Sequence, residues 1–343
     1  MRLPSGSLSE LKPLLDGQKI SLLGCLSFEE RCTAVPIWLR ATYVNDLTAM
    51  RMIYIVSKGD VYPDYTTLAE QRSEGNRVIL RQNGINIRRT EGISHLPEIE
   101  ANLFEVEDEL LDIYDDFVEA AKGSTVIFDI TSFPKRYFCL FVKRLMQDRL
   151  IGNVIVTYTS AGSGGYAKRL AFSPQLPDHL PGFPFAIGDE ANSLVVSVGF
   201  ELLGMRPLVE SYLEKRAPKF ILSIAEEGLP ARRQWTTLKF LVDSLRTMPI
   251  TDHVAVIATW DAERVFQKLN SWHEDSSGMV LAPFGPKPHT LGMAIFATAN
   301  DSALVYTQPR SYNPLYTQGV GSTRGYVLKW DGLTCYNREV KPI

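Results

Sequence analysis

The chain has 343 residues, 45% hydrophobic and 22% charged. That composition excludes a disordered chain, a collagen-like fibre and a disulfide-stapled miniprotein. Such a length suits two domains and buries a sizeable core without metals or staples. Formal net charge is −3, from 36 basic and 39 acidic residues, so no long duplex nucleic acid is expected as a partner, while a small anion held in one local pocket stays open.

The opening stretch MRLPSGSLSELKPLLDG has no apolar run of signal-peptide length, and no stretch reaches about 18 uninterrupted apolar residues. The expectation is a cytoplasmic, reducing context with no membrane partner. The cysteines Cys25, Cys32, Cys139 and Cys335 form no C-x-x-C pair or Cys/His cluster, so no metal site of the usual spacing is expected.

Short apolar runs alternate with helical patterns. Lys19–Leu26, Met52–Val56, Thr125–Ile130 and Val154–Tyr158 read as strands, continuous rather than alternating, as central parallel strands are. Between them, Leu103–Ala121 is amphipathic, with an acidic outer face that reads as a solvated surface or a docking face. The grammar restarts with strands Leu194–Val198, Phe220–Ile224, Val254–Ala258, Met279–Ala282 and Ala303–Tyr306. Helices Met205–Lys215, Pro230–Leu245, Ala262–Trp272 and His289–Thr298 fall between them. The expected fold is α/β: two Rossmann-like parallel-sheet halves, residues 1–172 and 191–343, joined by a Pro-rich linker at 173–190 and related by internal duplication. The duplication rests on matched turns. Strand TVIFDI leads into Thr131-Ser132-Phe133-Pro134-Lys135 and a helix; strand MVLA leads into Pro283-Phe284-Gly285-Pro286-Lys287-Pro288 and a helix. The segments after Tyr158 and Tyr306 read as polar, aromatic loops.

Ligands of such sheets sit beyond the carboxyl ends of the strands. The candidate binding residues there are Ser27, Thr131, Lys135, Gly164, Phe284, Gly285, Lys287, Arg310, Tyr312 and Asn313. In the second turn, Gly285 allows close backbone approach, the next helix offers free N–H groups, and Lys287 adds a cation. The same letters also fit a rigid strand-to-helix turn with an exposed lysine. Gly162–Gly165 reads as an anion cradle or a flexible turn. Tyr312, Tyr316 and Tyr326 with Arg310, Arg324 and Asn313 suit a stacked base, or a loop folded over its own sheet. Asp129 and His289 are the catalytic candidates, each with a structural alternative as a capping carboxylate and a helix-start histidine. Glu29, Glu30 and Arg31 read as an ion-paired helix start. No P-loop, G-x-G-x-x-G, G-x-S-x-G or H-E-x-x-H pattern occurs, and no cofactor is expected.

At FDITSFPK and FGPKP the sequence resembles the CRISPR-associated Rossmann fold (CARF) and SAVED families, whose strand–turn–helix units carry a lysine in a Gly/Thr-rich turn. Here Ser132-Phe133-Pro134 stands where a glycine-rich turn is the family pattern. The resemblance implies recognition of a nucleotide or short, cyclic or linear, oligonucleotide. It implies a stand-alone sensor, a nuclease of such messengers, or one subunit of a bacterial defence complex. Two alternatives stand beside it: an enzyme cleaving a phosphodiester or glycosidic bond, and a protein-interaction scaffold with a vestigial pocket.

Overall fold

A computed structural model describes residues 5–56, 63–85, 88–89, 97–102, 107–184, 193–200, 204–213, 218–224, 237, 239, 243, 253–273 and 278–336. In chain order these form β1 (Ser5–Ser7), α1 (Leu8–Leu15), β2 (Ile20–Leu26), a 3-10 turn (Glu30–Thr33), α2 (Ala34–Thr42), β3 (Leu47–Val56), α3 (Pro63–Gln82), β4 (Arg88–Arg89) and β5 (Pro97–Asn102). Then follow α4 (Glu107–Ala121), β6 (Thr125–Asp129), α5 (Lys135–Gln147), β7 (Asn153–Tyr166), β8 (Ala171–Pro174), β9 (Asp178–His179), β10 (Ser193–Val198), α6 (Met205–Leu213) and β11 (Lys219–Ile224). The last are β12 (Val254–Ala258), α7 (Ala262–His273), β13 (Met279–Pro283), α8 (Lys287–Asn300), β14 (Ala303–Tyr306), β15 (Pro309–Tyr312), β16 (Thr317–Trp330) and β17 (Leu333–Thr334). Of the expected helix at 230–245 only 237, 239 and 243 are described, each helical, and the first residues of the 103–121 helix lie outside the described residues.

The chain forms two compact units. Unit 1 is Met1–Pro134, Arg144–Phe172 and Arg310–Cys335; unit 2 is Lys135–Lys143, Ser173–Pro309 and Tyr336–Ile343. This division differs from halves at 1–172 and 191–343. Residues 310–335 return to unit 1 because β16 pairs β7 along most of its length. The Pro-rich stretch expected as a linker contains β9, which pairs β14 at the edge of the unit 2 sheet.

In unit 1 the parallel strands lie in the order β5-β3-β2-β6-β7, with two-residue β4 beyond β5, and antiparallel β16 and β1 added beyond β7. Every residue of β2 and of β6 is buried, as strands covered on both faces require. In unit 2 the parallel order is β12-β11-β10-β13-β14, with antiparallel β9 beyond β14. Numbered by appearance, and leaving β4 aside, both sheets read 3-2-1-4-5. The fold is thus two Rossmann-like halves, and the matched turns fall at one topological place. Lys135 is the first residue of α5 behind N-cap Pro134, after the fourth strand of its sheet. Lys287 is the first residue of α8 behind N-cap Pro286, also after the fourth strand. Each order reverses between its first and fourth strands, the switch point where the carboxyl ends of such sheets open a crevice.

The segment after Tyr158 is not a loop. β6 ends at Asp129, paired with Thr157, whereas β7 runs on to Tyr166 and pairs with β16. These two strands leave the parallel sheet as a ribbon beyond its carboxyl end. Glycines let them close: a Cβ on Gly321 would lie 2.2 Å from Ser160 Oγ and 2.4 Å from the Ala161 carbonyl oxygen.

Candidate functional site

In unit 1 the chain leaves β2 through a tight turn. Ser27 Oγ accepts the Glu29 N–H at 3.3 Å, and the Ser27 carbonyl accepts Asn76 Nδ2 at 2.7 Å. Ser27 is therefore used to shape the turn. This turn carries Glu29 and Arg31 into the protein at the switch point. Arg31 is 1% exposed and Glu29 6%, so both charges must be paired. Arg31 Nε and Nη2 reach Glu29 Oε2 at 2.9 and 2.7 Å. Its Nη1 donates to the Tyr158 hydroxyl at 3.1 Å and the Thr159 carbonyl at 2.9 Å. Glu29 Oε2 also accepts the Thr317 hydroxyl at 2.7 Å, which ties β16 to the strand ends. Tyr166 and Tyr316 complete the cluster, their ring centroids 6.2 Å apart and edge-on. Burial pushes both phenols well above their ordinary range, with Glu29 adding to the rise and Arg31 opposing it. Burial works against the Arg31 charge, but Glu29 and the tyrosines hold its pKa well above the ordinary arginine value.

The fourth strand end supplies Asp129 and Thr131, both buried. Asp129 Oδ1 accepts the Thr131 N–H at 3.2 Å, the Thr131 hydroxyl at 2.5 Å and the Thr157 hydroxyl at 3.3 Å. Thr131 Oγ1 in turn accepts the Thr159 N–H at 2.9 Å. This knot binds the β6 turn to β7, the capping role for Asp129.

In unit 2 the switch-point turns pack backbone to backbone. A Cβ on Gly199 would lie 2.2 Å from the Phe284 carbonyl oxygen, and one on Gly285 2.0 Å from Ser197 Oγ. The neighbour that Gly285 admits is thus Ser197. Beneath it His289 is fully buried, with Nε2 at 2.9 Å from the Ala258 carbonyl and Nδ1 at 3.3 Å from Ser197 Oγ. The carbonyl requires the proton on Nε2, so Nδ1 accepts from the serine. Burial lowers the His289 pKa to about 4, which keeps the ring neutral. The pair resembles a base and nucleophile, but both side chains are wholly inside.

The turn above it is held by Lys135, whose ammonium donates to the Pro283 and Gly285 carbonyls, each at 2.6 Å, and lies 5.0 Å from the Tyr306 ring centre. Burial lowers the Lys135 pKa to about 7; Cys139 opposes that fall, and the charge of Lys287 adds a smaller lowering. Lys287 is half-buried, and the half-buried Phe284 packs on Tyr306 at 5.4 Å. Unit 2 thus gathers Lys135, Phe284, Gly285 and Lys287 at one strand end.

The other expected residues lie elsewhere, in unit 1. Gly164 is within β7, so the glycine run is strand rather than anion loop, because Gly162 meets the Gly319 backbone across the ribbon. Asn313 Nδ2 donates to the Arg169 carbonyl at 2.7 Å and its Oδ1 accepts the Leu315 N–H at 2.9 Å, so its amide shapes a turn. Tyr312 stacks edge-on against Tyr316 at 6.3 Å, and Arg310 is exposed. The loop folds over its own unit. Sequence reasoning missed Glu29 and Arg31 as site residues, with Tyr158, Tyr166, Tyr316 and Thr317. The available signal was a charged pair directly after the first strand of the sheet.

Among the described residues no three His, Cys, Asp or Glu side chains gather as metal ligands would, and no helix is long and apolar enough to cross a membrane. No known protein family and no curated protein matches the chain. Solved structures similar to it include a universal stress protein from Archaeoglobus fulgidus DSM 4304, 9% identical, covering 84% of this chain and 96% of that one at a TM-score of 0.25. A putative universal stress protein from Pseudomonas aeruginosa UCBPP-PA14 is 8% identical, covering 87% and 95% at a TM-score of 0.26. At such scores these likenesses carry no argument about the chain.

Proposed function

We propose that the chain binds a nucleotide or short oligonucleotide by its phosphate at the strand-end turn of unit 2, Pro283–Lys287, as a sensor or a subunit of a defence system. One observation carries this reading: the Lys135 ammonium lies on the Pro283 and Gly285 carbonyls, in the turn that Lys287 closes as the first residue of α8. Two ammonium groups brought together repel, and a bound anion relieves that repulsion. The first turns of two helices add the positive ends of their dipoles. Phe284 and Tyr306 supply aromatic surface beside them. An enzyme reading gains no such support, since Asp129 and His289 are buried, with Asp129 Oδ1 and both His289 ring nitrogens engaged within the fold.

Native mass spectrometry of freshly purified protein tests the proposal. The expected result is an added mass accounted for by a released nucleotide, reduced in Lys287→Ala. A charge-assisted contact to phosphate contributes about 1.5–3 kcal/mol, roughly ten- to a hundredfold in affinity. No added mass, together with no thermal shift from mononucleotides, cyclic dinucleotides or linear oligonucleotides, would leave the scaffold reading ahead.

A further inference from the structure

Lys135 closes the unit 2 turn in a way that does not depend on its own charge. Its Nζ lies 2.6 Å from the Pro283 and Gly285 carbonyl oxygens and 5.0 Å from the centre of the Tyr306 ring. An ammonium carries three N–H bonds and a neutral amine two. Two are enough for both carbonyls, so either form keeps the turn closed. Only the ammonium has a third N–H, and a charge, to offer a ligand. Nor do the surroundings fix that charge, since among the described residues no carboxylate acts on Lys135. On its own helix it faces Cys139, whose thiol burial pushes up and keeps neutral. On α8 it faces Lys287, a second cation, and His289, which burial keeps neutral down to about 4. The nearby Asp261 carboxylate acts on His289. From β14 and the turn come an aromatic ring and carbonyls. A buried ammonium without a counter-charge gives up its proton early, and Lys135 does so at about 7. Near neutrality both forms are populated, and they differ in what they can bind rather than in how they hold the fold.

We propose that the unit 2 turn is a proton-linked anion site: it holds a phosphate group only with Lys135 as the ammonium, binding takes up a proton there wherever the free amine is neutral, and the ligand is released as the solution turns alkaline. This rests on the phosphate reading of unit 2 and adds its regulation. In the complex the anion supplies the counter-charge that the fold withholds, so the proton stays on Lys135. With one proton linked to binding, affinity falls about tenfold for each pH unit above the midpoint of the free site.

Isothermal titration of the full chain with the linear adenosine dinucleotide ApA, at steps from about pH 6 to about pH 9, tests it. Neither the phosphodiester nor the adenines change charge over that range, so any pH dependence belongs to the protein. Affinity should fall roughly a hundredfold between about pH 7 and about pH 9. Repeating the titration in buffers of different ionisation enthalpy counts the protons: close to one taken up at about pH 8 and almost none at about pH 6. Lys135→Arg keeps its charge throughout and should still bind, with an affinity that no longer falls and no proton uptake. Should arginine not fit the turn, the proton count of the wild type remains a complete test. Saturable binding with the same affinity and no proton uptake at every pH would overturn the inference and leave the phosphate reading standing. A pH dependence that persists in a folded Lys135→Arg would also overturn it, because another group would then carry the proton. No binding at any pH, by ApA or by mononucleotides and cyclic dinucleotides, would overturn both.

Discussion

Gly285 and Ser197 touch so closely that a Cβ at position 285 would lie 2.0 Å from the serine Oγ and 3.1 Å from its Cβ. Ser197 is fully buried and engages His289, so it has little room to retreat. Gly285→Ala should destabilise the protein by roughly 1–3 kcal/mol, the usual cost of overpacking. Gly75→Ala is the control, inside α3 with nothing within 4 Å of the added carbon. It should gain about 0.5–1 kcal/mol from helix propensity. Urea denaturation of the two variants checks both.

The Arg31–Glu29 pair should behave as a coupled unit. Arg31→Met leaves Glu29 buried without its cation and should cost about 3–5 kcal/mol, while the double change with Glu29→Met should cost clearly less than the two single changes summed. A double-mutant cycle by chemical denaturation measures this coupling.

His289 should make stability depend on pH. Its pKa is lowered from 6.5 to about 4 in the fold, so between those values the unfolded chain binds the extra proton. Stability is then full above about pH 6.5 and falls by a few kcal/mol as pH drops toward 4. His289→Gln should flatten that part of the profile, as read by urea midpoints taken from pH 7.5 to 4.5.

Lys135 should titrate near neutrality. Its pKa is about 7 in the fold against the ordinary 10.5, so over that window the unfolded chain holds more protons and the contribution to stability grows as pH rises. Lysine side-chain resonances followed by NMR should show an early midpoint, near 7, that is lost in Lys135→Ala. Lys287→Ala should raise that midpoint, because Lys287 lowers it.

The β7–β16 ribbon depends on glycine. Gly321→Val places branched carbons where Ser160 Oγ and the Ala161 carbonyl already lie. Hydrogen exchange should quicken over residues 158–166 and 317–323, while β2 and β6 stay protected.

Legibility in the sequence followed the range of the interactions. β6 and β13 are uninterrupted apolar runs, and each is followed by a proline and a lysine at the helix start, so both turns could be aligned by eye. The ribbon could not. TQGVGSTRGY is rich in glycine and small polar residues and reads as loop, and it becomes strand only by pairing with β7 more than a hundred residues earlier. The Glu29 cluster was hidden for the same reason, since its partner Thr317 stands 288 positions away. Burial also reversed the meaning of visible letters. His289 looked available beside the turn, yet its ring is sealed beneath Ser197 and Ala258.

The most direct test of the account is calorimetric titration of the wild type and of the Lys135→Ala/Lys287→Ala double variant with a phosphate-bearing dinucleotide. The account predicts saturable binding to the wild type. It predicts a loss of at least a hundredfold in the double variant, the sum of two charge-assisted contacts, with the fold intact by circular dichroism. Equal affinity in the two proteins would contradict it.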